Sequence, residues 1–327
     1  MKIESGYLDF HVHVGEKIGG YTLRDDFHDL AKLCAVSDDP QKVALAGMAV
    51  FVTQAEGRSL KNSFEQMQEK AARDFPAPVF WHLTPVQDSV EEVVSLLQKG
   101  VDLKFYTTYK AQGLYKSYAE IDRWMQDLSS QKTRILVHCE DDALVSEYAG
   151  KHPFRHPKDH CLRRPEICEI TAVERILDLA LKNQHPVHIV HVSSPRAAIL
   201  IHEAKKHFAG ITCETAPHYL LHSERDLEAV NAHRLLCTPP FRSESSRGLH
   251  CELLADGYFD ILASDHCAFR TVDKDRYKNE PGKVPNGIPG IAELYSSVYD
   301  AFVRTGKISQ DHLERMTRTR VLELMQS

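Results

Sequence analysis

The sequence lacks the features that mark several classes of protein. Its longest apolar runs, such as residues 43–53, reach about half the roughly 20 residues that a membrane-spanning helix needs. The first residues show no basic stretch followed by an apolar one, so no secretory leader is predicted and the cytoplasm is expected. No repeat, low-complexity segment or linker rich in Pro, Gly and Ser divides the 327 residues. The composition therefore predicts an ordinary globular protein without a membrane partner.

The chain also lacks an excess of positive charge and a disulfide pattern. Its 40 Lys and Arg face 46 Asp and Glu, a net charge of −6, and no basic stripe is visible, which argues against a nucleic-acid partner. None of the eight cysteines forms a Cys-x-x-Cys pair, and several lie inside apolar runs. Free, mostly buried thiols in a reducing compartment are the better interpretation.

Short apolar segments rich in β-branched and aromatic residues are abundant, and amphipathic helical stretches separate most of them. The predicted strands are Tyr7–Val14, Ala49–Thr53, Val79–Thr84, Val101–Tyr106, Arg134–His138, Val187–His191, Ile211–Glu214 and Phe259–Ser264. The predicted helices include Leu60–Arg73, Val90–Lys99, Tyr118–Ser130, Ile170–Asn183, Pro195–Phe208, Ile291–Thr305 and Gln310–Met325. Eight such units predict an α/β fold, a (β/α)8 TIM barrel formed as one domain over residues 1–327. Residues 141–165 and 269–287 are predicted to be long loops.

In such a barrel the chemistry lies at the C-terminal ends of the strands, and here those ends carry metal-ligand side chains. His11 and His13 are two residues apart on a strand, so both imidazoles face the same side. His138 and His191 end the fifth and sixth predicted strands, and Asp265 follows the eighth. Four imidazoles and one carboxylate suit zinc or a similar divalent cation. The alternative is a polar network that plugs the barrel mouth.

Lys104 is the unusual member, because an ammonium on a buried strand beside cations is disfavoured by desolvation and by like charge. Two interpretations are open. The side chain points outward as a solvated lysine, or its neutral amine has reacted with CO2 to give a carbamate that bridges two metal ions.

These motifs resemble the cyclic-amide branch of the amidohydrolase superfamily, which holds dihydroorotases, dihydropyrimidinases (hydantoinases) and allantoinases. The resemblance rests on Asp9-Phe-His-Val-His13, Lys104, His138-Cys-Glu-Asp141, His191-Val-Ser-Ser194, Ser264-Asp-His266 and Asn286-Gly-Ile-Pro-Gly290. Further matches are Arg164-Pro-Glu166, Glu214-Thr-Ala-Pro-His218 and Thr238-Pro-Pro-Phe-Arg242. It implies two divalent ions, zinc being the first expectation. His11, His13, Lys104 and Asp265 would bind one ion, and Lys104, His138 and His191 the other.

The resemblance further implies hydrolysis of a ring amide by a metal-bound hydroxide. Asp265 would take the proton from that hydroxide and pass it to the departing nitrogen. Tyr109 would hydrogen-bond the tetrahedral intermediate, or be a plain surface tyrosine. Thr238 and Asn286 would contact the substrate ring, although Thr-Pro-Pro and Asn-Gly are also common turn sequences.

The substrate stays open, with a preference for a neutral cyclic ureide. Dihydroorotases carry an Arg after the first strand and a His after the eighth that help to hold a carboxylate, and Gly15 and Phe269 stand there. Arg163, Arg164 or Lys110 could replace them. The Asp265–Phe269 and Pro285–Gly287 segments resemble dihydropyrimidinases, whereas His138–Asp141 and Ala216–Leu221 resemble dihydroorotases and allantoinases. A catalytically inactive scaffold ranks behind these, because all six ligand positions are filled.

Family members also carry a small β-sandwich formed by residues before the first strand and after the barrel. Because the first predicted strand begins within ten residues of Met1, that domain is expected to be missing or vestigial. The resemblance implies a homo-oligomer, but contacts made through the β-sandwich cannot be carried over.

Overall fold

The computed structural model describes residues 5–35, 43–97, 101–131 and 133–326. The strands are β1 (Tyr7–His13), β2 (Lys17–Ile18), β3 (Tyr21–Thr22), β4 (Leu45–Thr53), β5 (Val79–Thr84), β6 (Asp102–Tyr106), β7 (Ile135–His138), β8 (Val187–Ile189), β9 (Ile211–Thr215), β10 (Ile261–Leu262) and β11 (His266–Cys267). Nine of them form one sheet in the order β10-β9-β8-β7-β6-β5-β4-β1-β11, and β2 pairs only with β3.

The large sheet closes on itself through a broken eighth strand. Its neighbouring strands are parallel, and β10 at one edge pairs with β9. β11 begins four residues after β10 ends and pairs with β1 at the other edge. The two edges are therefore made by one short stretch of chain, and the predicted α/β barrel of eight strands is confirmed.

Helices follow the strands and cover the outside of the sheet. They are α1 (Phe27–Ala31), α2 (Leu60–Asp74), α3 (Val90–Leu97), α4 (Tyr118–Asp127), α5 (Asp142–Lys151), α6 (Asp159–Arg163), α7 (Glu166–Asn183), α8 (Pro195–Lys205), α9 (Pro217–Leu221), α10 (Glu244–Ala255), α11 (Thr271–Asp275), α12 (Leu294–Val298), α13 (Gln310–Glu314) and α14 (Arg320–Gln326). Side-chain caps fix several of their starts: Ser59, Ser117 and Ser194 each accept a backbone N–H of the first turn.

The apolar core has two layers. The larger layer lies between the sheet and the surrounding helices. The smaller one fills the barrel interior, where Leu8, Phe10 and Leu136 meet Val321 and Leu324 of α14. The terminal helix thus closes the end of the barrel at which the strands begin, and the other end is left to polar side chains.

Several predicted elements differ from the observed ones. The expected loop 141–165 contains α5 and α6, because Asp141 caps α5 by accepting the backbone N–H of Leu144. The expected loop 269–287 contains α11. The sixth predicted strand ends at Ile189, short of His191, and the eighth is reduced to β10. Gln98 and Lys99, the end of one predicted helix, lie outside the described residues.

The predicted helices near the end of the chain are interrupted. A π-helical turn, Tyr299–Val303, follows α12, and a second one, Arg315–Thr319, separates α13 from α14. No helix within the described ranges combines the length and the apolar character that crossing a membrane requires.

Candidate metal centre

Three predicted ligands meet at the end of the barrel where the strands finish. One ligand atom from each of His11, His13 and Asp265 lies within 4.8 Å of the others. The Nε2 atom of His11 is 3.1 Å from Oδ1 of Asp265. Strand β1 supplies both histidines, and the break between β10 and β11 supplies the aspartate. Two imidazoles and a carboxylate at this spacing can bind one divalent cation.

An irregularity in β1 decides which of its side chains face this site. The pairing register between β1 and β4 shifts between Asp9 and Val12. Phe10 packs in the barrel interior, yet the ring of the next residue, His11, also faces inward, with its centroid 5.4 Å from that of His191. Asp9 instead accepts the backbone N–H groups of Ser264 and His11. Asp9 therefore ties β1 to the eighth strand and does not join the ligand group.

His138 and His191 form the second group of predicted ligands. Nδ1 of His138 is 2.9 Å from Nε2 of His191, so two imidazole nitrogens face one point. Burial lowers the pKa of His138 to about 4 and lowers that of His191 as well, which keeps both rings neutral at neutral pH. Neutral imidazoles are what a cation needs as ligands.

Lys104 is close enough to both groups for its charge to help lower the pKa of His11 and of His138, and it is buried, with 1% of its surface exposed. Its ammonium nitrogen is 5.0 Å from the ring centroid of Phe51 and 5.2 Å from that of Tyr106. Burial lowers the pKa of this amine, and the carboxylates of Glu214 and Asp265 oppose part of that effect. The solvated, outward-pointing lysine is therefore not observed.

Burial acts in the opposite direction on the carboxyl group of Asp265. Desolvation raises its pKa, while His13 and Lys104 lower it in part. A carboxyl group whose proton affinity is raised in this way is suited to accept and release a proton.

Three carboxylates that the sequence analysis did not assign to the site orient its histidines. Glu214 accepts from Nδ1 of His11, Glu16 lies 3.0 Å from Nδ1 of His13, and Glu140 lies 2.9 Å from Nε2 of His138. In His11 and His138 the carboxylate contacts the ring nitrogen opposite to the one that faces Asp265 or His191. Such partners fix the tautomer and the orientation of metal-binding histidines.

A signal in the sequence points to at least one of these carboxylates. Along β9, strand alternation places Thr212 and Glu214 on the inner face of the barrel. A charged side chain inside a strand needs a partner, because an unpaired buried charge is costly. The inward position of Glu214 is therefore readable from the sequence, although its partner is not.

Backbone conformation marks the same site. Five non-glycine residues in the described ranges have a positive φ, and three of them are predicted site residues: Tyr109 at 69°, His191 at 38° and Asp265 at 50°. Such conformations are uncommon outside glycine and cluster at functional sites. They also explain why the sixth and eighth strands end early.

The three expected substrate contacts lie together beside the second ligand group. The ring centroid of Tyr109 is 5.1 Å from that of His138. Burial raises the pKa of the Tyr109 hydroxyl, and the neighbouring Thr238 side chain lowers it in part. Nδ2 of Asn286 donates to Oγ1 of Thr238 at 3.1 Å. A hydroxyl–hydroxyl–amide row adjoining the candidate metal centre offers donors and acceptors to a small polar ring.

The positions that distinguish dihydroorotases are apolar here. Phe269 is 5% exposed and packs with Leu23, Cys267 and the edge of the Tyr21 ring, at 6.0 Å between centroids. Gly15 has a φ of 66°, which favours glycine. Neither position offers a positive charge to a substrate carboxylate.

Two of the three basic residues that could replace them are held by the protein itself. Arg163 donates to the carbonyl oxygens of Ala149 and His152. Arg164 forms a buried ion pair with Glu140 and stacks 5.3 Å from the Tyr109 ring centroid. Lys110 is exposed, and its nitrogen is 5.7 Å from the ring centroid of Tyr115.

The chain is similar to known hydantoinases and to a dihydropyrimidinase. No family model matches the chain. A D-phenylhydantoinase of Escherichia coli O81 is 25% identical over 323 residues, which cover 95% of this chain and 68% of the relative. The dihydropyrimidinase of Brevibacillus agri superposes with a TM-score of 0.89 and 24% identity, over 98% of this chain and 70% of the other. The D-hydantoinase of a Thermus species superposes with a TM-score of 0.88 and 20% identity, over 98% of this chain and 70% of the other. The D-phenylhydantoinase confirms the resemblance to the cyclic-amide branch of the amidohydrolase superfamily, and the two solved structures confirm the fold.

Proposed function

We propose that this chain is a metal-dependent amidohydrolase that opens the ring C–N amide bond of a neutral cyclic ureide, of the dihydropyrimidine or hydantoin type. The observation that carries the proposal is the meeting of neutral imidazoles, Asp265 and the buried Lys104 where the barrel strands end. The named relatives, hydantoinases and a dihydropyrimidinase, support it.

Two divalent ions, with zinc as the first choice, fit the donors present. His11, His13 and Asp265 supply two nitrogens and an oxygen for one ion, and His138 and His191 supply two facing nitrogens for the other. Lys104, as a carbamate, would contribute to both, because a free ammonium would repel them. When bound, such ions activate water and polarise the substrate carbonyl.

The chain's own residues carry the remaining steps. Asp265 accepts the proton of the attacking water and transfers it to the departing ring nitrogen, a role that its raised pKa favours. The Tyr109 hydroxyl donates a hydrogen bond to the oxyanion that forms at the attacked carbonyl. Thr238 and Asn286 hold the polar edge of the ring.

Dihydroorotase and allantoinase activities are the second candidates, on the motifs at residues 138–141 and 216–221. A catalytically inactive scaffold is more remote, since the ligand positions keep their ligand residues. We also propose that the protein acts as a homo-oligomer in the cytoplasm.

A steady-state screen tests the proposal. Enzyme loaded with zinc is assayed with dihydrouracil, hydantoin, dihydroorotate and allantoin, and the His138→Ala variant serves as the inactive control. Ring opening of dihydrouracil or hydantoin is expected. Turnover of none of the four substrates by metal-replete enzyme would overturn the proposal.

A further inference from the structure

Glu214 stands apart among the carboxylates near the candidate metal centre. It lies on the inner face of β9 with 1% of its surface exposed. Oε1 accepts from Nδ1 of His11 and, at 3.1 Å, from the backbone N–H of His191. Oε2 is 3.1 Å from Nε2 of His188. One buried carboxylate thus contacts a member of each predicted ligand group.

The contact with His11 determines which nitrogen of that ring is free. A carboxylate at Nδ1 requires a proton there, which leaves the lone pair on Nε2. Nε2 is the atom 3.1 Å from Asp265. The hydrogen bond therefore selects the tautomer in which His11 can bind a cation.

The contact with His191 holds the backbone rather than the ring. His191 has a φ of 38°, a left-handed conformation that a histidine adopts at a cost. Accepting its N–H fixes the point where the chain leaves β8, and with it the direction of the ring toward His138.

The other two carboxylates act more locally. Glu16 contacts His13 and is 10% exposed, so water shares in its solvation. Glu140 contacts His138 and has the Arg164 guanidinium as its counter-ion. The donors to Glu214 are two imidazoles and one amide, which leave its negative charge without a hydrogen-bonded cation of its own.

We infer that Glu214 is a positioning residue that joins the two ligand groups of the metal centre and whose buried negative charge raises the affinity for cations. The inference rests on the proposed function. It adds a role for a side chain that binds neither the ions nor the substrate. The hydrogen bonds of Glu214 continue through His188 to Thr212, whose Oγ1 is 2.8 Å from Nδ1 of His188.

Metal affinity tests the inference without any substrate. Zinc is titrated into metal-free wild type, Glu214→Gln and Asp260→Asn against a chromophoric chelator. Asp260 is a matched control, because it accepts the N–H of Cys213 in the middle of β9 and pairs with Lys205 while contacting none of the predicted ligands. Glu214→Gln should bind zinc about 10- to 100-fold more weakly than wild type, and Asp260→Asn within a factor of two.

A second readout reports the tautomer directly. Nitrogen-15 spectra of the histidines should show His11 protonated at Nδ1 in wild type and a mixture in Glu214→Gln. Glu214→Asp, which keeps the charge but retracts the carboxylate, should fall between the two in affinity, and it serves in place of Glu214→Gln if that variant does not fold.

The outcomes separate the two proposals. Wild type that binds no zinc would overturn the proposed function itself. Wild type that binds zinc, with the folded Glu214 variant matching it in both affinity and tautomer, would overturn the role of Glu214 alone.

Discussion

Asn286 donates to the hydroxyl of Thr238 across 3.1 Å, although 48 residues separate them in the sequence. The bond joins the connection before the eighth strand to the one after it. Lys274 reinforces this junction, since its buried ammonium, in the same loop as Asn286, donates to the carbonyl oxygens of Arg234 and Leu236, close to Thr238 in the chain.

Removing either partner of this bond should weaken catalysis at a neutral ring. A lost hydrogen bond of this kind is worth about 1–3 kcal/mol, so Thr238→Val and Asn286→Ala should each lower kcat/KM about 5- to 150-fold. Because the two side chains touch, the double variant should lose less transition-state stabilisation than the two single variants lose together. Steady-state kinetics with Thr305→Val as a surface control measures this. Strictly additive losses would mean that the two residues act independently.

Asp265→Asn should nearly abolish turnover while leaving much of the metal in place. The amide keeps one oxygen near His11 but cannot carry a proton, so kcat should fall about 100- to 10,000-fold. His138→Ala should lose more metal, because it removes a ligand nitrogen altogether. Elemental analysis beside single-turnover assays compares the two. Equal metal loss would leave Asp265 as a ligand only.

Lys104 should carry a carbamate when two divalent ions are bound. The buried amine has a lowered pKa and lies among predicted ligands, so its neutral form is available to react with CO2. Protein loaded with zinc under carbon-13 CO2 should show one carbamate signal and about two metals per chain. Lys104→Ala should lose both.

Lys274 provides the matched control for this experiment. It is also buried, and burial lowers its pKa to about 8, but its partners are backbone carbonyl oxygens. Lys274→Ala should therefore keep the labelled carbamate and the metal content. A carbamate signal that survives in Lys104→Ala would contradict the assignment.

Neutral rings should be better substrates than dihydroorotate. Phe269 and Gly15 leave a substrate carboxylate without a charged partner, a loss of roughly 2–5 kcal/mol, or about 30- to several-thousand-fold in kcat/KM. Competition between dihydrouracil and dihydroorotate measures this ratio. If dihydroorotate is preferred, alanine variants of Lys110, Arg163 and Arg164 will identify the residue that binds the carboxylate.

The fold should lose stability in acid through its buried neutral histidines. Burial lowers the pKa of His82, His160 and His250 to about 3. Below pH 6.5 these histidines bind protons in the unfolded chain but stay neutral in the folded one. The free energy of unfolding should therefore fall as pH drops toward 3. Each histidine contributes about 1.4 kcal/mol per pH unit within that window.

Denaturant unfolding of metal-free protein between pH 4 and 7.5 checks this, since metal release would add its own pH dependence. His250→Gln should reduce the slope of the free energy of unfolding against pH by the contribution of one histidine. The substitution His207→Gln, at an exposed position, should leave that slope unchanged. An unaltered slope in His250→Gln would show that this ring is protonated in the folded state.

The sequence by itself determined the barrel and the strand ends at which the predicted ligands lie. Alternating apolar runs and helices are local patterns, and a parallel sheet brings the ends of its strands to one edge whatever the loops do. That is why the positions of His11, His13 and Asp265 at strand ends were enough to predict that they lie together.

Only the tertiary structure decided how these side chains are held. The register shift that turns His11 inward and the carboxylate of Glu214 behind its imidazole depend on which strands become neighbours. Glu16 and Glu140, by contrast, lie three and two residues along the chain from the histidines they contact. Residues 11 and 214 meet because β1 and β9 both line a closed barrel, and no pattern within either segment records that contact. Local propensity sets the elements, whereas pairing across the barrel sets the partner of a buried charge such as Glu214.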